Sequence, residues 1–322
     1  MEGITYAAYR AVHARMFPGV KEYYTPFIAP DTTGSFKPRY LRELTADRTE
    51  GLCVIPQLLA SRPEPFCATA EKLLALGFEE IDLNLGCPSG TVVAKHKGSG
   101  MLRDLPALDA FLDAVFTDAA QKGYRISIKT RMGVQSTGEF PAILAVYRHY
   151  PLSRLIIHAR SREGYYQSIP DLAGFAEAAG QCPFPVTYNG NLFSRRDLDA
   201  LRAASPETGS VMVGRGAVAD PALIRTLSGG APLRCEELRT FHDTLLEAYL
   251  QNGISPAFTA ERMKHLWYYL HCMFADCKKE HKAILKAGTL PDYRAAANAL
   301  FSSGKFDGTL CFADSKAPQS AL

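Results

Sequence analysis

The sequence predicts an α/β fold: a (β/α)8 TIM barrel whose first strand is missing from the chain, followed by a small all-helical domain. Three observations carry that expectation. Strand-like and helix-like runs alternate up to about residue 230. The strand-like runs are short and nearly all apolar, as strands covered on both faces are. Each ends in a polar residue or a glycine: Gln57, Asn84, Lys129, His158, Asn189 and then Gly214. In a parallel barrel the carboxyl ends of the strands form the face that holds the active site. A whole ring of such residues is difficult to explain as packing alone.

Taken in order, Met1 to Thr5 reads as a loop leading into a short helix through Tyr9 and Arg10. Tyr23 to Ile28 is a β-branched and aromatic run interrupted by Pro26, which cannot donate to a ladder. Cys53 to Leu58 is the second such run. From Pro65 to Gly77 the spacing of Phe66, Ala70, Leu73 and Leu74 predicts a helix with a glycine stop. The strand ending at Asn84 follows. Then comes a helix from about Pro106 to Lys122, between Asp104 and Gly123 as end signals. Arg125 to Lys129 and Leu155 to His158 are strands, separated by a helix near Phe140 to His149. A helix around Leu172 to Ala179 leads to the strand Pro185 to Asn189. Ser194 caps a helix to Arg202, and Ser210 to Val213 is the last strand. That makes seven strand-like runs rather than eight.

From about Ala231 the pattern changes to helices only, over Glu236–Asn252, Thr259–Phe274, Cys277–Lys286 and Tyr293–Leu300. The expected division is therefore a barrel over residues 1–230 and a helical domain over 231–322, with a mobile tail after Asp307. At 322 residues the chain is long enough for both. A net charge of +3 permits a polyanionic partner without demanding one. The eight cysteines form no CxxC pair, which argues against a zinc site or a disulfide framework. There is no signal region and no uncharged apolar run of membrane-spanning length. A protein of the reducing cytoplasm, without a metal and outside the membrane, is the expectation.

The chemistry centres on Asn84-Leu85-Gly86-Cys87-Pro88. Gly86 permits a sharp turn and Pro88 fixes its own dihedral, so Cys87 is presented on a loop just beyond a strand end. Most free cysteines are buried core residues, and that alternative stands for Cys87 taken alone. Two glycine loops close the barrel, Asn189-Gly190-Asn191 and Gly214-Arg215-Gly216. Loops at these positions commonly grip phosphate through backbone N–H groups and a cation; a pair of tight turns is the plainer reading. Lys129 and His158 end adjacent strands. A lysine in a barrel mouth needs an anion or a carbonyl, and a flavin ring supplies both. Lys129 would stabilise charge on the reduced ring, and His158 would donate a hydrogen bond nearby. Their plainer readings are a surface ion pair and a satisfied core histidine.

These elements resemble the tRNA-dihydrouridine synthase family. The motifs are Asn84 to Pro88, Lys129-Thr130-Arg131-Met132-Gly133, His158-Ala159-Arg160, Asn189-Gly190-Asn191 and Met212 to Gly216, in that order. Pro56-Gln57-Leu58-Leu59 and Glu261-Arg262-Met263-Lys264-His265-Leu266 match as well, so the resemblance runs from Met1 to roughly Leu300. It implies an FMN enzyme that reduces C5=C6 of selected uridines in tRNA, with NADPH (or NADH) as reductant. In that family's chemistry hydride passes from flavin N5 to C6, and Cys87 would protonate C5. Asn84 would hold the uracil edge. Met1, Gln57, Lys129 and His158 would contact the flavin, and Asn189, Gly190, Asn191, Gly214 and Arg215 would surround its phosphate. Arg160, Arg262, Lys264 and His265 would meet the RNA, with Lys278, Lys279, Lys282 and Lys286 as further cations. The enzyme is expected to be a monomer. Trp267, Tyr268 and Tyr269 read as core of the small domain rather than a stacking platform.

One departure concerns the start. The family pattern begins with a short apolar strand ending in Ala-Pro-Met, and this chain starts at that Met. A start assigned too late is favoured over a barrel that closes differently, since an unpaired barrel edge is a poor solution. Gly98-Ser99-Gly100, beyond Cys87, also departs from the family pattern, with no functional conclusion attached. Two rival functions remain at this level: a flavin barrel acting on free pyrimidines or dihydroorotate, and an RNA-binding relative without catalysis. The basic helical part and His158-Ala159-Arg160 favour RNA over the first. Retention of Cys87, Lys129 and His158 argues against the second.

Overall fold

The computed structural model describes residues 1–31, 33–35, 37–49, 51–310 and 312. The strands are β1 (Tyr23–Tyr24), β2 (Val54–Ile55), β3 (Gln57–Leu58), β4 (Glu80–Leu85), β5 (Arg125–Arg131), β6 (Arg154–His158), β7 (Val186–Asn189) and β8 (Val211–Met212). All the pairings among them are parallel, and β3 to β8 form one sheet in sequence order. Prolines explain why the first two runs are broken. Pro26 and Pro56 have no N–H, so the ladder stops at β1–β2 and resumes where Ile28 bridges Leu58. Counted with Ile28, the runs make the seven strand positions expected from sequence. Helices alternate with them: α1 (Ala7–Met16), α2 (Pro38–Thr49), α3 (Pro63–Ala75), α4 (Gly90–Val93), α5 (Leu105–Lys122), α6 (Phe140–Tyr147), α7 (Leu172–Gln181), α8 (Arg195–Ala204), α9 (Arg215–Ala219) and α10 (Leu223–Leu227).

The end signals act as read. Asp104 accepts a hydrogen bond from the Ala107 N–H at the start of α5, and Gly123 ends it at φ 78°. Ser194 and Asp197 form a reciprocal capping box at α8. Where the structure differs, the reason is local. The short helix expected near Tyr9 continues to Met16 because Tyr9, Val12 and His13 are all buried along it. Helix α2 is an addition; its sequence is largely polar and carries little apolar periodicity.

On the side where β8 and β1 pair no further among the described residues, α1 spans the space. Tyr9 donates its hydroxyl proton to Ala217 O at 3.1 Å. The His13 ring lies between Pro221 O at 3.0 Å and the Tyr23 hydroxyl at 2.8 Å. The segment after β8 is thereby tied to β1 through a helix.

The last part contains α11 (Cys235–Gln251), α12 (Pro256–Leu270), α13 (Lys278–Lys286) and α14 (Leu290–Ser303). It is not helical throughout. The pair β9 (Phe274–Ala275) and β10 (Lys305–Phe306) forms an antiparallel ribbon. The expected mobile tail lies mostly in residues 313–322, outside the described residues. Two apolar cores result. One fills the space between barrel strands and helices, with Leu83, Ile128, Ile157, Phe66 and Phe175 fully buried. The other joins Ile4, Tyr9, Val12 and Phe17 to Phe241, Leu245, Trp267 and Tyr293. Each such large side chain contributes about 2–3 kcal/mol on burial. Trp267 donates to the Tyr293 hydroxyl at 2.7 Å and is core, as its sequence context predicts.

Candidate functional site

Successive side chains of a strand face opposite ways, so residues two apart share a face. Ile81, Leu83 and Leu85 of β4 are buried in the core between strands and helices. Asp82 and Asn84 therefore point into the barrel. The same phase sends Ser127, Lys129 and Arg131 of β5 inward, then His158 of β6, then Thr187 and Asn189 of β7; Arg160 and Asn191 follow just beyond those strand ends, joined by a hydrogen bond. Register confirms the ring: Gln57 is level with Asp82, Asn84 with Lys129, Arg131 with His158, and His158 with Asn189.

One side of the mouth is a chain of hydrogen bonds ending at Cys87. Ser127 Oγ donates to Asp82 Oδ1 at 2.9 Å, and Gln57 Nε2 donates to Asp82 Oδ2 at 2.6 Å. Asn84 Nδ2 donates to Gln57 Oε1 at 2.7 Å. Asn84 Oδ1 then accepts from the N–H groups of Gly86 at 3.1 Å and Cys87 at 2.9 Å. From the other side, Ser99 donates to Cys87 O through its N–H at 3.1 Å and its hydroxyl at 2.8 Å. Gly98, at φ +57°, packs so closely that a Cβ there would lie 2.9 Å from Cys87 O. The departure at Gly98-Ser99-Gly100 thus has a structural reason: it lets a turn press on the cysteine loop. Burial pushes the Cys87 thiol above the ordinary range, outweighing the Ser89 backbone hydrogen bond and the charges of Lys129 and Arg131. At neutral pH the sulfur keeps its proton.

The other side is cationic. Lys129 has no hydrogen-bond acceptor among the described residues, and burial, with Arg131 beside it, lowers its amine to about 8. Arg160 and Arg215 both donate to Asn191 Oδ1, at 3.0 and 3.1 Å. Burial and the Arg215 charge lower Arg160 to about 10. Arg131 donates to the carbonyls of Gly86, Ser161 and Tyr165. Among the described residues no carboxylate pairs with any of these four cations. The ring of Tyr166 lies over them, 4.2 Å from the Arg215 guanidinium and 5.5 Å from that of Arg131.

His158 has protein partners at both ring nitrogens. Asn189 Nδ2 donates to Met212 O at 2.9 Å, so its Oδ1 faces His158 Nδ1 at 2.9 Å and places the proton there. His158 Nε2 then accepts from Arg160 Nη1 at 3.3 Å. Burial, helped by the charges of Arg131 and Lys129, keeps the ring neutral. Both nitrogens are engaged, and His158 works here by orienting Asn189 and Arg160.

The remaining expected residues fall in three places. Met1 is at the mouth, its Sδ 3.6 Å from where a Gly214 Cβ would stand. Gly190 is explained by packing, because a Cβ would lie 2.1 Å from the Tyr188 hydroxyl; Gly214 starts α9. On α12, Arg262 stacks on Tyr6 at 4.2 Å, Lys264 is buried with Nζ 2.6 Å from Glu261, and His265 is exposed. Lys264 is thereby committed within its own helix. Sequence reasoning gave no role to Asp82, Ser127 or Ser99, and it offered Tyr166 only as an RNA contact near the mouth; the alternation Asp82-x-Asn84 and Ser127-x-Lys129-x-Arg131 carried the signal for the first two.

A model of the family described as dihydrouridine synthase matches residues 1–293. This chain belongs to the dihydrouridine synthase family. It is 33% identical over 185 residues to the tRNA-dihydrouridine(16) synthase of Cupriavidus necator, covering 56% of this chain and 57% of that protein. With the tRNA-dihydrouridine(16) synthase of Shigella flexneri it shares 31% identity, over 79% of this chain and 81% of the other. A probable tRNA-dihydrouridine synthase of Rhodobacter capsulatus is 27% identical, with 92% of each chain covered. The alignment with the Cupriavidus protein thus spans little more than half of that relative's length. Membership of the dihydrouridine synthase family implies a flavin cofactor. The residues fit one. Lys129 needs an acceptor, and Arg160 and Arg215 converge without a counter-anion, as a ring carbonyl and a phosphate would require.

Proposed function

We propose that this chain reduces the C5=C6 bond of a uridine in tRNA, with FMN as cofactor and NADPH as reductant. The observation that carries the reading is a protonated thiol, Cys87, held at the same mouth as four cations that have no carboxylate partner among the described residues. FMN, when bound, supplies the reducing equivalents for the uracil ring. Lys129 and the Arg160–Arg215 pair would hold it, the first by a charged hydrogen bond and the others by gripping phosphate. Cys87 Sγ gives its proton to C5 of the base. Asn84 keeps one N–H of Nδ2 beyond its bond to Gln57, and that N–H is available to a uracil carbonyl. The backbone bonds to Asn84 and Ser99 keep the thiol from swinging out of the mouth.

A base must leave its stack to enter such a mouth, which is cheapest in an unpaired loop. The relatives whose names carry position 16 support that position as the target. The exposed lysines of α13 (278, 279, 282 and 286) offer the phosphate backbone a positive face. The cytoplasm, where tRNA matures, is the expected location; no helix among the described residues is long and apolar enough to cross a membrane. The test has two arms. The purified protein should bind FMN, be bleached by NADPH, and reoxidise on adding unmodified tRNA but not free uridine. tRNA from cells lacking the gene should lose dihydrouridine at position 16. Reoxidation by free uridine as fast as by tRNA would overturn the RNA reading, and an unchanged modification map would overturn the activity.

A further inference from the structure

We infer that Asp82 is a positioning residue: its carboxylate dictates which way the amides of Gln57 and Asn84 face, and so how the Cys87 loop is presented. The inference rests on the reading above for its functional meaning, but its geometry belongs to the chain alone. Asp82 is fully buried inside the barrel, and its side-chain hydrogen bonds among the described residues go to Gln57 and Ser127 rather than to the Cys87 loop. In its ionised form Asp82 only accepts, and with Ser127 donating to the other oxygen Gln57 turns Nε2 towards Asp82 Oδ2, at 2.6 Å. That leaves Gln57 Oε1 for Asn84 Nδ2, at 2.7 Å. Asn84 Oδ1 is then the end that meets the N–H groups of Gly86 and Cys87. Reversing either amide would set donor against donor in a buried site, which is costly. Ser127, donating to the second oxygen at 2.9 Å, fixes the carboxylate plane. Burial raises the Asp82 acid to about 7, and the hydrogen bonds from Gln57 and Ser127 oppose that rise. This is the profile of a group kept inside for its acceptors. An acid needed only to fill space would be replaceable by leucine.

The test uses the full chain and needs neither flavin nor tRNA. Asp82→Asn keeps one acceptor for Gln57 and turns its own amide to Ser127 Oγ, whereas Asp82→Leu keeps the approximate shape and removes every acceptor. Alkylation of Cys87 by iodoacetamide is followed by peptide mass spectrometry, with the exposed Cys53 of the same molecule as internal standard. Asp82→Leu should raise the Cys87 rate relative to Cys53 about five- to tenfold, the equivalent of one lost buried hydrogen bond. Asp82→Asn should stay within about twofold of the parent, since it preserves the acceptor. In the holoenzyme, kcat should fall for Asp82→Leu with KM for tRNA little changed, and recover in Asp82→Asn. A folded Asp82→Leu protein with unaltered Cys87 reactivity overturns the inference. So does an Asp82→Asn protein as disturbed as the leucine variant. Where Asp82→Leu gives no cooperative melt, Gln57→Leu cuts the same chain one link further on, with the same expected and overturning results. If the tRNA activity is wrong, the alkylation ratios still decide the role of Asp82; if Asp82 is inert, tRNA reduction still stands or falls by its own assay.

Discussion

Replacing Cys87 by alanine separates chemistry from structure. The substitution keeps the Cβ, and the loop's main ties are to backbone atoms: Asn84 Oδ1 on two N–H groups, and Ser99 on Cys87 O. What is lost is one half-buried sulfur and its contact with the Ser89 backbone. That amounts to about 1 kcal/mol of stability or less. A general acid contributes about 10²–10⁴ in rate, or roughly 3–5 kcal/mol of barrier. The chemical loss is several times the structural one, so the two are separable. The assay is single-turnover reduction of unmodified tRNA by the reduced holoenzyme, alongside a thermal melt. The expected outcome is a rate reduced at least about a hundredfold at pH 7 with an almost unchanged melting midpoint. The pH profile adds a sign. Burial holds the thiol above its ordinary value, so the acid is loaded throughout neutral pH, and its share of the rate is lost as pH rises through that raised pKa. The alanine variant should lose this alkaline fall and keep any that belongs to Lys129. A rate within about threefold of the parent at pH 7 would refute the assignment of Cys87 as acid.

Two further outcomes are expected. In the flavin-free protein Lys129→Met should raise the melting midpoint at pH 7 by about 2 °C or more, and in the same variant FMN should bind about tenfold more weakly. Burial lowers the amine from 10.5 to about 8, so the folded state is penalised fully below pH 8. Between 8 and 10.5 the unfolded chain binds more protons, and parent stability should climb with pH there; a pH-independent gap between parent and variant refutes this. On α13, Lys282→Ala and Lys286→Ala should each weaken tRNA binding and reduce the salt slope by about 0.7–0.9, with no effect on the melt. Unchanged salt dependence would remove this face from the RNA interface.

The strand ends were legible because burial on both faces forces apolar runs, and a polar residue closing each run then stands out against them. The residues beneath the mouth were not. Asp82 reads in isolation as an ordinary acid in a strand; its alternation with Asn84 turns it inward, and only the pairing of Gln57 with Asp82 across β3 and β4 shows what it meets there. The ribbon of β9 and β10 joins pairs thirty residues apart, too short for any alternation to show. Lys264 was expected to meet the RNA. It stands four residues after buried Ala260, on the same helix face, so its stem is core and its amine reaches back to Glu261.

His158 shows the deeper limit. The sequence placed it on the strand next to that of Lys129, and the register sets it level with Arg131 and Asn189. Its role turns on which ring nitrogen carries the proton, and that is set two strands away. Met212 O takes one end of the Asn189 amide, which leaves the other end able only to accept from His158 Nδ1. His158 Nε2 must then accept, and the only donor it meets among the described residues is Arg160. The tripeptide His158-Ala159-Arg160 therefore works as a lever: the imidazole holds one face of a guanidinium whose other end shares Asn191 with Arg215. Two like charges remain side by side over one amide oxygen, and it is this arrangement, rather than any single residue, that calls for a phosphate.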